Sequence, residues 1–350
     1  MIRCFVIFLA LLALELHAAD TNAAVTNAVE VNAMVTNSAT TNTFNTNALR
    51  LIKTIFLPNV SGRVDHFAMD AQGRRLFLAA LGNGTVEVMD LVASKHIGTI
   101  GNCSSPQGLA FLAAKNRLVV ANGSSSTVKI LDGISFKPVN TLGDMPEADN
   151  LRYDAKADLL YVAYGNALAV IQAASGEVVG TIKLAGHPES FQLESVGNRI
   201  FVNVPEAQQV AVIDRDQRIT IDMWPIKGSN FPMALDEANH RLFIGSRAPG
   251  RLVVMDTITG NKVDNLQISD DADDLYYDAG RKLIYASCGD GFLDVIAQND
   301  PDTYQLLQRV PTAPGARTSY FSPERSELYL ALPASMMSGR AEIRIYKCSP

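Results

Sequence analysis

The apolar positions of this chain fall in short alternating runs, and helical periodicity is weak throughout. In Gly186 to Val204, "GHPESFQLESVGNRIFVNV", alternation marks one strand at Phe191–Leu193 and a second at Ile200–Val204, joined by the polar turn "ESVGN". Period-two patterning bounded by Gly, Asn and Ser predicts β-strands linked by tight turns.

The second of these strands recurs as "RLFLAA", "RLVVAN", "LLYVAY", "RIFVNV", "RLFIGS", "KLIYAS" and "ELYLAL". Taking the first core residue of each as Leu76, Leu118, Leu160, Ile200, Leu242, Leu283 and Leu328 gives spacings of 42, 42, 40, 42, 41 and 45. Repetition at that period predicts a toroidal or solenoid architecture. In the first unit "HFAMD", "RLFLAA", "TVEVMDL" and "HIGTI" read as four strands separated by turn residues. Four antiparallel strands per unit predict a propeller blade. The seventh unit stops after its third strand, "AEIRIYK", while "LIKTIFL" (Leu51 to Leu57) precedes the first unit and matches a fourth strand. The expectation is an all-β, seven-bladed β-propeller, four antiparallel strands per blade, whose ring is closed by an N-terminal strand, which removes two exposed sheet edges.

Units such as "NRLVVANGSSSTVKILDGISFKPVNTL" resemble the YVTN-repeat, YncE-like β-propeller family, over about residues 50–347. The resemblance implies a secreted or periplasmic bacterial protein, most often a binding module. Lactonases and the propeller subunit of quinoprotein amine dehydrogenases share the architecture. There is no recurring Trp-Asp pair and no Gly-Gly kelch pair, and the one tryptophan, Trp224, leaves no Trp-rich docking repeat.

The first residues change the picture of location. "MIRCFVIFLALLALELHAAD" has Arg3, an apolar run from Cys4 to Leu14 and small residues at Ala18-Ala19. The run is shorter than the ~18–20 apolar residues a membrane span requires, so residues 1–19 read as a secretory signal peptide rather than an anchor. No later segment is apolar enough to span. Residues 20–49 divide into Thr/Asn/Ala pentads and read as a flexible linker. Residues 50–350 form the propeller. Export to the periplasm or the exterior follows. The remaining cysteines, Cys103, Cys288 and Cys348, are an odd, sparse set that predicts no disulfide framework. A formal charge of −6 with no basic run argues against nucleic acid as a partner.

Candidate chemistry lies at the start of each unit's first strand. The family's usual opening there is Pro-x-Gly-apolar, kept in "SPQGLAF". At the same offset, with the sixth unit read as one residue shorter and aligned by "DDLYYD" against "DNLRYD", the seven units read Asp65-His66, Gln107-Gly108, Asp149-Asn150, Glu189-Ser190, Phe231-Pro232, Asp273-Asp274 and Arg317-Thr318. Asn230 and His187 lie just upstream in the same loops. Seven strands converging on one axis would gather five carboxylates with Arg317, His66 and Asn150. Crowded carboxylates raise one another's pKa unless a cation intervenes. Such a ring suits an amine, a charged substrate, or a divalent cation, with Asn150, Glu189 and Asp273 as candidate ligands. The same ring is also compatible with a polar, water-filled channel whose acids satisfy loop N–H groups. Asn83, Tyr164, Asn203 and Arg247 could reach inward from neighbouring loops. Asp70, Asp154, Asp236 and Asp278 are expected to cap turns on the opposite face, where His240 in "EANHR" also falls.

No HExxH, GxSxG, CxxC or P-loop pattern occurs. The functional expectation is a propeller that binds a small molecule or a protein partner at the top of its channel. The alternatives are a lactonase-type hydrolase and a structural assembly module. In the hydrolase, Glu189 or Asp273 would act as general base with His66 assisting, and Arg317 or a cation would stabilise the oxyanion.

Overall fold

The computed structural model describes residues 47–70, 72–334 and 339–349. The expected signal peptide and residues 20–46 of the expected linker lie outside the described residues. The described chain forms seven four-stranded antiparallel sheets, each built from consecutive strands except the last. Blade 1 runs from an inner strand at Phe67–Met69 through Arg75–Ala80 and Thr85–Asp90 to an outer strand at Lys95–Ile100. Blade 7 contributes Thr318–Ser322, Glu327–Leu332 and Ala341–Cys348, and its outer strand is Leu49–Leu57. Ile55 sits opposite Ile343 and Leu57 opposite Ala341, so the N-terminal strand closes the ring. The inner strands of successive blades are neighbours all the way round, blade 7 against blade 1 included.

Sequence pattern and position in the blade agree. The second strands lie between two neighbouring blades and are buried on both faces, which is why Leu76 to Ala80 is one unbroken apolar run. Leu76 and Leu78 pack against Tyr329 and Ile343 of blade 7. Phe77 and Ala79 pack against Leu118 and Val120 of blade 2. The outer strand Lys95–Ile100 has only part of its length covered and alternates exposed with half-buried positions.

The register corrects one sequence anchor. Ile284 pairs with Tyr277 as Leu160 pairs with Tyr153, and it packs on Phe243 of the preceding blade. Leu283 points the other way, toward Leu328. Ile284 is therefore the sixth anchor, the sixth unit is not short, and the inner-strand residues of all seven units stand at one common offset. An apolar pair, Leu283-Ile284, disguised the register.

Turn chemistry repeats as the strands do. Asp70, Asp154, Asp236 and Asp278 each accept a backbone N–H of the turn after the inner strand, as expected. A second series, Asp90, Asp132, Asp214 and Asp256, each accepts two N–H groups in the turn before the outer strand. Cys103, Cys288 and Cys348 are buried free thiols. Among the described residues no helix is long and apolar enough to cross a membrane.

Candidate functional site

At the common offset each inner strand begins beside the channel axis, and its backbone is held there by its own second strand. The Asp65 N–H donates to the Ala79 carbonyl, that of Asp149 to Ala163 and that of Glu189 to Asn203, at 2.7, 2.9 and 3.0 Å. This repeated anchor aims Asp65, His66, Asp149, Asn150, Glu189, Ser190 and Asp273 into one small cavity at the channel mouth, with Arg63, Phe231 and Arg247. Its volume is about 20 Å³, room for one water-sized group. His66 and Asn150 also line a larger cavity of about 360 Å³ that follows the inner strands along the channel. These two residues therefore stand between the mouth and the channel.

His66 is the centre of the arrangement. Its Nε2 lies 3.7 Å from Asp65 Oδ1 and 3.8 Å from Asp149 Oδ1, and its Nδ1 lies 3.9 Å from Asp274 Oδ1. Burial alone would lower its pKa, but Asp65, Asp274 and Asp149 together hold it above the usual histidine value. Asp65 is raised by burial, against the pull of His66 and Arg63. Asp274 faces the channel below the mouth, accepts the Ser319 N–H at 2.7 Å and is pushed up to about 6 by burial.

The acids divide into those held by arginines and those that are not. Asp273 is clasped by Arg247 and by Arg317, the latter at 3.0 Å, and Arg317 also donates twice to Asp271 at 2.7 Å. Arg63 donates to Asp65 at 2.8 Å. Asp149 Oδ1 is buried with no hydrogen-bond partner. The Glu189 carboxyl, half-buried, is raised to about 7 by desolvation and by Asp149, with His187 and Arg247 opposing. His187 in turn is raised to about 9, chiefly by Asp149, whose Oδ2 lies 3.9 Å from its Nε2. An unpaired buried acceptor beside a carboxyl that titrates near neutrality is an arrangement ready to accept a donor or a proton.

Three positions singled out from the sequence have their polar contacts elsewhere. Gln107 donates to the Ala148 carbonyl, Thr318 to Val64, and Asn230 to Asn203 and the Gln209 carbonyl, so all three tie blades or loops together. Arg317 stands on the rim, held by Asp271 and Asp273. Of the outlying candidates Arg247 reaches the mouth, stacked 3.6 Å over Phe231. Asn83 instead ties its loop to the segment that follows the closing strand, accepting from the Ser61 N–H and donating to the Asn59 carbonyl, and Asn203 donates to the Phe231 carbonyl. Tyr164 packs against the core between blades 2 and 3.

Asn150, Glu189 and Asp273 do not make a cation site. Asn150 Oδ1 accepts from Arg152 at 2.8 Å, and Asp273 is neutralised by two guanidiniums. Among the described residues no three His, Cys, Asp or Glu side chains are arranged to hold a metal ion.

Sequence reasoning missed Arg63, Asp271 and Arg152. Each lies two residues before or after a ring position in the sequence, which was the available signal. Gly108 also has a different meaning from a tolerated default. A Cβ there would fall 2.0 Å from the Asp149 carbonyl oxygen, so glycine lets blade 3 bring Asp149 to the axis. The chain matches no protein-family model and no curated protein.

Proposed function

We propose that this chain is a small-molecule-binding propeller of the YVTN-repeat, YncE-like kind, exported to the periplasm or beyond, whose ligand sits over the channel mouth with one donor group in the small cavity there. The observation that carries the reading is Asp149 Oδ1, buried without a hydrogen bond on the wall of a polar cavity. Leaving such an acceptor unpaired costs about 1–3 kcal/mol or more, which a bound donor would offset. The repeat architecture and the apolar N-terminal run support the family and the export. The experiment is a thermal-shift screen of amines, polyols, sugars, lactones and small acids, followed by titration of the hits into the wild type and Asp149→Ala. Loss of binding in a folded Asp149→Ala supports the reading, and equal binding refutes it.

A second reading, a hydrolase, is favoured by Glu189. A carboxyl with a pKa of about 7 is matched to general-base work at neutral pH. It would take a proton from the one water the cavity has room for, as that water attacks the carbonyl of a lactone seated above the mouth. The ring C–O bond would break with the proton passing to the leaving alkoxide, with His66 in the same cavity. Lactone turnover that Glu189→Gln abolishes would establish it. No turnover by the wild type leaves the binding reading alone.

A further inference from the structure

Below His66 and Asn150 one guanidinium, that of Arg152, forms no ion pair with a carboxylate among the described residues, although Asp274 and Asp149 act on it from further off. Arg152 lines the larger channel cavity and donates to Asn150 Oδ1 and the Leu151 carbonyl, both at 2.8 Å, and to Ser190 Oγ at 3.4 Å. All three acceptors are neutral. Arg63, Arg247 and Arg317, by contrast, each hold a carboxylate. Burial lowers the pKa of Arg152, with Asp274 and Asp149 opposing. Asp274 is the one acid on the cavity wall, and it is turned to the Ser319 N–H. A charge withdrawn from water without a contacting counter-charge is costly, and a bound anion is the simplest compensation. A guanidinium matches a carboxylate bidentately. The cavity is also lined by the apolar Phe67, Leu109 and Phe111 of the two preceding blades, and its volume of about 360 Å³ is in the range for a small organic ligand.

We propose that the channel below His66 binds a small organic acid, its carboxylate paired with Arg152 and its apolar body against Phe67, Leu109 and Phe111. This rests on reading the upper channel as a ligand site, but it names a residue and a chemistry that the mouth does not require.

The test is titration calorimetry of the purified protein with sodium benzoate and sodium succinate, against benzamide and sodium chloride at matched ionic strength, and with inorganic phosphate as a separate arm. Wild type, Arg152→Gln and Arg152→Lys are compared. Gln keeps a donor for Asn150 without the charge, and Lys keeps the charge should the Gln variant fail to fold. The expected result is saturable binding of at least one carboxylate, none of benzamide, and weakening by about tenfold or more in Arg152→Gln. Lys should weaken it less. No carboxylate binding to the wild type, phosphate bound in its place, or binding unchanged by Arg152→Gln would overturn the proposal. Carboxylate binding that needs Arg152 but ignores Asp149→Ala supports it and removes the mouth reading. A hit lost in Asp149→Ala but untouched by Arg152→Gln does the reverse.

Discussion

Asn150 Nδ2 meets His66 Nε2 at 3.1 Å, joining blade 3 to blade 1 across the channel. The amide cannot turn round, because Arg152 donates to its Oδ1. The bond therefore needs Nε2 as an acceptor, which is the neutral ring. The three surrounding carboxylates favour the charged ring, whose Nε2–H would face Nδ2–H. Protonation of His66 and the cross-channel bond exclude one another. Histidine NMR should find His66 titrating above 6.5, and Asn150→Ala should move the midpoint further up, because the lost donor favoured the neutral form. A midpoint below 6.5, or a downward move in Asn150→Ala, would contradict this geometry.

Stability should fall as pH rises across the mouth's titration range. Glu189 is raised from 4.5 to about 7, so the folded state holds its proton more tightly than the unfolded chain, and stability drops between those values. His187 is raised from 6.5 to about 9, so its contribution is complete below 6.5 and lost as pH passes 9. Melting curves from pH 5 to 9 should decline, with Glu189→Gln flattening the lower part and His187→Gln the upper. A wild-type profile that rises over this range would show that these two groups are placed wrongly.

Gly108→Ala should be more damaging than an alanine at an inner strand normally is. Its Cβ must push the Asp149 carbonyl away from 2.0 Å, with Leu151 Cγ at 3.1 Å on the other side. The cost should be about 1–3 kcal/mol, as for overpacked interiors, and ligand binding should weaken with it. A variant as stable as the wild type would mean that blade 3 can retreat freely.

Most of the fold was legible because each blade repeats the same requirement. Second strands packed on both faces must be apolar throughout, and turns need Asp, Asn or Gly at fixed places, so "RLFLAA" and its copies announced themselves. The closing strand was legible for the same reason, although it begins at Leu49 rather than Leu51. The site was legible only in position. Equal offsets placed Asp65, His66, Asp149 and Glu189 on one ring, but pairing depends on side-chain reach. The periodicity gave no sign that Arg63 turns inward, that Asn230 and Thr318 serve blade contacts, or that Asp273 is clasped by two arginines while Asp149 Oδ1 is left without a hydrogen bond.

The closing strand should dominate the stability of blade 7. A chain starting at residue 47 keeps Leu49–Leu57 paired with Ala341–Cys348, and one starting at residue 58 loses it. The longer form should melt well above the shorter, because Ile55 and Leu57 are buried and their loss bares a sheet edge. Equal melting temperatures would show that the ring does not depend on this strand.

The mouth as ligand site is tested most directly by the histidine resonances themselves. His66 and His187 each lie within 4 Å of an Asp149 oxygen, at 3.8 and 3.9 Å, while His96 is held by Glu87 on the outer strand of blade 1 and His240 sits in a turn at the opposite end of blade 5. Titration of the strongest screening hit should shift the ring nitrogens of His66 and His187 saturably, leave His96 and His240 in place, and produce no shift in Asp149→Ala. Shifts confined to His96 or His240, or identical shifts at His66 in wild type and Asp149→Ala, would contradict the account.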